Sequence, residues 1–370
     1  MDWSVVEGLL PDGWRERAVE LRLVKPNLPQ HMNTKVTDIG QVLRLVFYQV
    51  ALNTGLQTAA AAFAAGKLLD ISPVALHYWM KKLGRYLAEL LGRLVGDSHA
   101  MFVPERWAGY EIVGTDATCV QRPGSTGTTA RVHRALRLTD LRVVGVKVTD
   151  EKGGETFRRF DAEPGQLWIG DRLYANPPGV AWVKGRGAQV LVRYNRGSLP
   201  LYDASGRALD VLGKLAKLRK PGWFRQWQAF VHPAQGERIQ GRLCAVRLPA
   251  DKAQQARERL HREQGADVTA ESLAMADFVV VFTTVPSNEL HCTQILELYR
   301  LRWQIELDFK RDKSTTGLDR LPNHLPSTIE SWIYAKLLVH QILRKLADSG
   351  SAFPPSAFAD GIGPQCRHAA

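Results

Sequence analysis

The segment YRLRWQIELDFKRDK, residues 299–313, constrains this chain more than any other stretch. Tyr299, Arg302, Glu306 and Lys313 follow one another at spacings of three, four and seven. At roughly 100° per residue of helix, the four fall within an arc of roughly 60°. A phenol, a guanidinium, a carboxylate and an ammonium would then line one helical face. Trp303 and Leu307 flank that stripe on one side, Ile305 and Phe309 on the other. A freely solvated helix is polar around its whole outer half. A charged stripe with apolar shoulders instead suits a packed helix whose charges point into a cleft. There a carboxylate can hold a metal ion, and an Arg and a Lys beside it can hold the phosphates on which the metal acts. The plainer alternative is a surface strip with i,i+4 pairs such as Arg302 with Glu306.

Two aspartates upstream stand in strand-like settings. EIVGTDATCV runs through Ile112 and Val113 to Asp116 and reads as a strand ending on a carboxylate. QLWIGDRLYANPPGV runs through Leu167, Trp168, Ile169 and Gly170 to Asp171, then into a turn region marked by Pro177 and Pro178. Between them, RALRL (134–138) and RVVGVKV (142–148) read as strands, and GAQVLVRYN (187–195) reads as a fifth. Taken singly, either aspartate is a turn or helix-cap residue. Their order ahead of the 299–313 segment favours chemistry.

Y-x2-R-x3-E-x6-K is the signature of the transposases of insertion sequence family four, and the chain resembles that family at all four positions and in the surrounding RWQIELDFK. These are cut-and-paste enzymes with an Asp-Asp-Glu triad. The strand order, with a late helix carrying Glu306, resembles a ribonuclease-H-like core. The resemblance implies an α+β, mixed fold: a helical N-terminal domain, a ribonuclease-H-like α/β catalytic core with a mostly β insertion, and a helical C-terminal part. It implies that Asp116, Asp171 and Glu306 are catalytic and ligate two Mg²⁺ ions, with Mn²⁺ as a substitute. Asp116 would bridge both ions, and Asp171 and Glu306 would each complete one. Arg302 and Lys313 would position phosphates, and Tyr299 would pack or hydrogen-bond near the DNA end. The implied activity is metal-dependent cleavage and strand transfer of insertion-element ends, with excision through a hairpin. The implied partners are double-stranded DNA (terminal inverted repeats and target) and a second copy of the chain on paired ends. The setting would be the bacterial cytoplasm, at the nucleoid. Two other classes stay open: a ribonuclease-H-like nuclease without strand transfer, and a transposase-derived DNA-binding protein that has lost catalysis.

The rest of the chain divides around this core. Residues 1–105 read as a helical DNA-binding domain. DIGQVLRLVFYQVALNT and GLQTAAAAFAAGKLL carry helical patterns, and Ser72 before Pro73 is a cap followed by proline at the first helical position. From Val74 to Leu94 the apolar residues keep a helical period with Lys81, Lys82, Arg85 and Arg93 among them. The pair resembles a helix-turn-helix, with a plain helical hairpin as the alternative. Residues 106–195 form the first part of the core, 196–290 a β-rich insertion, and 291–350 the helix with Glu306 plus a C-terminal helix. The tail 351–370 reads as loose. In the insertion, KLAKLRKPGWFRQW interleaves basic and aromatic residues. It suits phosphate contact and base stacking, or else places the aromatics in a β layer. Phe278 and Phe282 precede the Glu306 helix, and no Trp stands there. Little chain follows Lys313, which leaves a shortened or inactive copy open.

Composition narrows the classes further. Lys and Arg number 49 against 37 Asp and Glu, for a net charge of +12, which fits a polyanionic partner. No apolar run reaches the length of a membrane span, the first residues lack a basic leader, and the four cysteines show no C-x-x-C pair. No phosphate loop of the Walker type is present. His133 and His291 carry no assigned role.

Overall fold

The computed structural model describes residues 3–24, 36, 38–96, 107–321 and 326–351. The loose-tail expectation beyond Ser351 lies outside the described residues. The chain forms two compact units: residues 95–311, and residues 1–94 together with 312–370.

Helices α1 (Trp3–Glu7), α2 (Trp14–Glu20), α3 (Ile39–Ala51), α4 (Leu56–Ala65) and α5 (Pro73–Gly96) precede the first strand. The Ser72 hydroxyl accepts a hydrogen bond from the Ala75 amide at 3.1 Å, and so caps α5. Pro73 at the first helical position sacrifices an N–H that would have had no partner. On α5, Leu76, Met80, Leu83, Leu87, Leu90 and Leu94 are buried at spacings of three and four. Tyr86 joins them and donates to the Trp14 carbonyl at 2.8 Å. The opposite face stays wet: Val74 and Tyr78 are exposed beside Lys81 and Lys82.

The second unit begins with β1 (Glu111–Val120), β2 (Ala130–Arg137), β3 (Arg142–Asp150) and β4 (Gln166–Gly170). Next come α6 (Pro177–Gly185), β5 (Gln189–Arg193), α7 (Val211–Leu215), β6 (Phe224–Val231) and β7 (Ile239–Arg247). Then follow α8 (Ala250–Gln264), α9 (Ala270–Ala276), β8 (Phe278–Thr283), α10 (Cys292–Arg300) and α11 (Trp303–Thr316), whose residues from Asp312 on belong to the first unit. The strands build one eight-stranded mixed sheet in the order β3-β2-β1-β4-β5-β8-β7-β6. β1, β4 and β5 run parallel at its centre, as a ribonuclease-H-like core requires, and the other pairings are antiparallel. β6 to β8, which come from the β-rich stretch after Tyr194, extend that same sheet through the β5–β8 pairing.

β1 does not end on Asp116. It continues to Val120, paired residue by residue with β2 down to Ala130, so the acid sits within a strand. The polar Thr115–Asp116 step resembles a strand end only when the cross-strand partner is out of view. Alternation then sorts β1 onto two faces. Val113 packs on one face with Ala135, Trp168, Val190 and Val192, under Phe157, Tyr174, Val180 and Val183. Burying each large apolar side chain there contributes about 1.5–3 kcal/mol. Asp116 and Arg134, direct partners across β1 and β2, share the opposite face.

The last helix, α12 (Pro326–Ser351), packs on α3 within the first unit. Its Lys336 is buried, and the ammonium donates to Asn53 Oδ1 at 2.5 Å, to the Arg320 carbonyl at 3.1 Å and to the Gly317 carbonyl. Burial lowers its pKa to about 8. No described helix is long and apolar enough to cross a membrane.

Candidate active site

Asp116 and Asp171 reach the same level of the sheet through strand register. Gly114 on β1 pairs with Ile169 on β4 in a parallel ladder, and each acid lies two residues beyond its member of that pair. Asp171 therefore stands just past the carboxyl end of β4, a place where parallel sheets commonly bind ligands. Its side chain accepts from the Leu173 amide at 2.7 Å, which turns the chain out of the strand. Asn176 then caps α6 by accepting from the Gly179 amide at 2.9 Å. Gly170 is required by packing: a Cβ there would stand 2.6 Å from Cβ of Tyr174 and 3.0 Å from Cζ of Phe157.

The Tyr299–Lys313 run is two helices, not one. Tyr299 lies in the last turn of α10, Arg302 in the connection, and Glu306 in the first turn of α11. The junction is held by bonds between residues three apart: Arg302 N–H to the Tyr299 carbonyl at 3.2 Å, and Gln304 N–H to the Leu301 carbonyl at 2.9 Å. No Pro or Gly marks this break, so the sequence carries no local sign of it. α11 buries Ile305, Asp308, Phe309 and Asp312, while Glu306 sits on the shoulder of that stripe and Trp303, expected as an apolar flank, is exposed.

Arg302 connects the acids. Its guanidinium donates to Glu306 at 2.5 Å and lies 3.8 Å from Asp116. Burial pushes the Asp116 pKa up to about 6; the Ala117 amide bond lowers it, the Asp171 charge raises it, Arg302 lowers it and Glu306 raises it. Asp171 and Glu306 thus both act on Asp116. Tyr299 stands in the same field: burial raises its pKa, Arg302 and Arg193 oppose that, and Asp171 adds to it. Lys313 lies partly buried in the last turn of α11, within the other compact unit.

Sequence reading passed over three groups here. Glu155 follows β3, has a side chain only 12% exposed and lies 3.7 Å from Arg131. Its pKa rises to about 7 through burial, then through the charges of Asp171 and Asp116. Nothing in the GGET context marks it as a fourth acid at the site. Arg193, the last residue of β5, donates to the Phe278 carbonyl at 3.2 Å and shares the surroundings of Tyr299 and Arg302. The third group is the buried ion pair Arg134–Asp308. An acid inside the apolar stripe of α11 was the available signal for it.

Oxygen-rich acids around a partly buried Asp116 are the donor chemistry of a hard divalent cation, whose charge would offset the cost of ionising that acid. As the side chains stand, Arg302 performs that neutralisation. Among the described residues no group of three or more His, Cys, Asp and Glu side chains is set closely enough to hold a metal ion. His291 caps α10 in a capping box with Gln294, and His133 is buried against Thr149 at 2.9 Å.

The chain is similar to known proteins along most of its length. The family model described as "Transposase DDE domain" matches residues 107–342. The chain is 28% identical over 331 residues to a putative transposase InsL for insertion sequence element IS186A of Escherichia coli K12, covering 87% of this chain and 88% of that one. It is 29% identical over 332 residues to the transposase for insertion sequence element IS421 of Escherichia coli, with the same coverage of both. A transposase for insertion sequence element IS231F of Bacillus thuringiensis subsp. israelensis matches at 26% over 193 residues, 47% of this chain and 40% of that one.

Proposed function

Because the chain belongs to the transposase DDE domain family and is a DNA transposase, we propose that Asp116, Asp171 and Glu306 are the carboxylates with which it cuts and rejoins insertion-element ends. The observation that carries this reading is geometric: strand register sets Asp116 and Asp171 at one level of the sheet, and the Arg302 guanidinium pairs with Glu306 at 2.5 Å while lying 3.8 Å from Asp116. Mg²⁺ ions, or Mn²⁺ in their place, held by the three carboxylates would supply Lewis-acid activation of the attacking oxygen and neutralisation of the leaving one.

The chain's own groups do the remaining work. Arg302 neutralises the acids in the unliganded protein, and its guanidinium can pass to a phosphate by charge-assisted hydrogen bonds. Tyr299, whose ring lies 6.0 Å from the Arg302 guanidinium, packs or hydrogen-bonds near the DNA end. Lys313 contributes a point charge for phosphate. The partners are double-stranded DNA carrying terminal inverted repeats, target DNA, and a second copy of the chain on paired ends, acting in the bacterial cytoplasm on nucleoid DNA. The net charge of +12 supports the DNA partner, and the names of the relatives support element ends as substrate.

Glu306→Ala tests the reading. Single-turnover cleavage of an end fragment in Mg²⁺ should fall to background, while gel-shift affinity for the same fragment stays within about threefold, since a metal ligand serves chemistry more than recognition. Cleavage by Glu306→Ala near the wild-type rate would sink the assignment. Wild-type cleavage without joining to a target plasmid would reduce the activity to that of a nuclease.

A further inference from the structure

We propose that the buried ion pair between Arg134 and Asp308 is a positioning device for cleavage, fixing the rotation and axial register of α11 so that Glu306 is presented to Asp116. The inference rests on the proposed roles of those two acids and deepens them. Arg134 stands directly opposite Asp116 in the β1–β2 register, so the two share a face of the sheet. The Arg134 guanidinium, on a side chain with no exposure, pairs with Asp308, whose side chain is 1% exposed. It also lies over the Phe309 ring, 4.7 Å from its centroid. Asp308 is two residues beyond Glu306 on α11. Arg134 and Asp116 are cross-strand neighbours, and Asp308 and Glu306 lie about 200° apart on one turn of the same helix, so any rotation of α11 moves both acids together.

Apolar packing alone would hold α11 on the sheet but tolerate small rotations, because methyl and methylene contacts are non-directional. A hydrogen-bonded charge pair in a dry interior does not. Turning α11 far enough to swing Glu306 away from Asp116 also pulls Asp308 off Arg134 and breaks a charge pair in the core. The pair adds little to stability over a well-packed apolar substitute. Its distinctive contribution is geometric. Neither residue touches DNA or a metal in this scheme, so both act through Glu306.

The test uses the full chain with an element-end fragment and compares wild type, Glu306→Ala, and the double variant Arg134→Met with Asp308→Leu. The double variant should unfold at the wild-type temperature and bind the end fragment normally. Its single-turnover cleavage and its Mn²⁺ affinity, read by electron paramagnetic resonance on the protein–DNA complex, should each fall about ten- to a hundredfold. Raising the metal concentration should recover part of the rate. If the double variant folds, cuts and binds Mn²⁺ as the wild type does, the pair is only structural and the inference is overturned. Should the double variant not fold, Asp308→Glu carries the test: it keeps the charge and lengthens the reach by one methylene, so the same losses are expected. Wild-type cleavage and Mn²⁺ affinity in that variant would overturn the inference equally. Glu306→Ala separates the two levels: if it still cuts, the catalytic assignment fails, whereas an inactive Glu306→Ala beside an unimpaired pair variant sinks the positioning role alone.

Discussion

Arg302 donates to Glu306 at 2.5 Å across one helical turn. The same guanidinium stands 3.8 Å from Asp116, so one cation serves two acids carried by different elements. A residue in this position must serve the unliganded site and then the DNA. Arg302→Ala should weaken end binding by about 1.5–3 kcal/mol, the worth of a hydrogen bond to a charged group. Arg302→Lys should recover only part, because an ammonium cannot reproduce the planar fork. Gel-shift titrations at one fixed salt concentration check both. Equal affinity for all three proteins would place Arg302 outside the DNA contact.

The raised pKa values make a claim about stability. Asp116, at about 6, and Glu155, at about 7, keep their protons longer in the folded chain than in the unfolded one. Their contribution is therefore fully present below about pH 4 and is lost as pH rises through 6 and 7. At about 1.36 kcal/mol per pKa unit, each acid destabilises the metal-free protein by on the order of 3 kcal/mol at pH 8. Urea unfolding in EDTA should give lower stability at pH 8 than at pH 5. Asp116→Asn or Glu155→Gln should raise stability at pH 8 and raise it less at pH 5, where only part of the loss has accumulated. Adding Mg²⁺ at pH 8 should restore stability to the wild type and much less to Asp116→Asn.

Gly170→Ala should separate stability from chemistry. The added methyl meets Tyr174 at 2.6 Å and Phe157 at 3.0 Å in a filled core. Overpacking of this kind costs about 1–3 kcal/mol. Relief requires the end of β4 to move, and Asp171 is the next residue. Cleavage should fall well beyond what the lost stability explains at a temperature where the variant is folded, with end binding nearly unchanged. A variant as active as wild type would show that the site tolerates movement of that strand end.

Affinity for end DNA should fall steeply with salt. Each neutralised phosphate contributes a slope of about −0.9 in log affinity against log salt. The basic residues of α5 and the Lys214–Lys220 stretch supply candidates, and Trp223 and Phe224 remain exposed beside the latter. A slope near zero between low and moderate salt would remove phosphate reading from the mechanism.

Sequence alone determined the transposase family, through the fixed spacing of Tyr299, Arg302, Glu306 and Lys313, and most helices and strands, through period and caps such as Ser72–Pro73. These are local properties, written within a few residues of where they act. Other features depend on partners far away in the chain. That β1 runs on past Asp116 depends on β2 pairing with it. That the strands after Tyr194 extend the catalytic sheet depends on β8 finding β5. The break between Tyr299 and Trp303 has no Pro or Gly to announce it. Glu155 joins the acids from a loop with no motif, and Arg134 meets Asp308 across 174 residues of sequence. Burial and long-range charge pairing, which set the pKa of Asp116 and the register of α11, exist only once the sheet has formed. Tertiary structure therefore decided them.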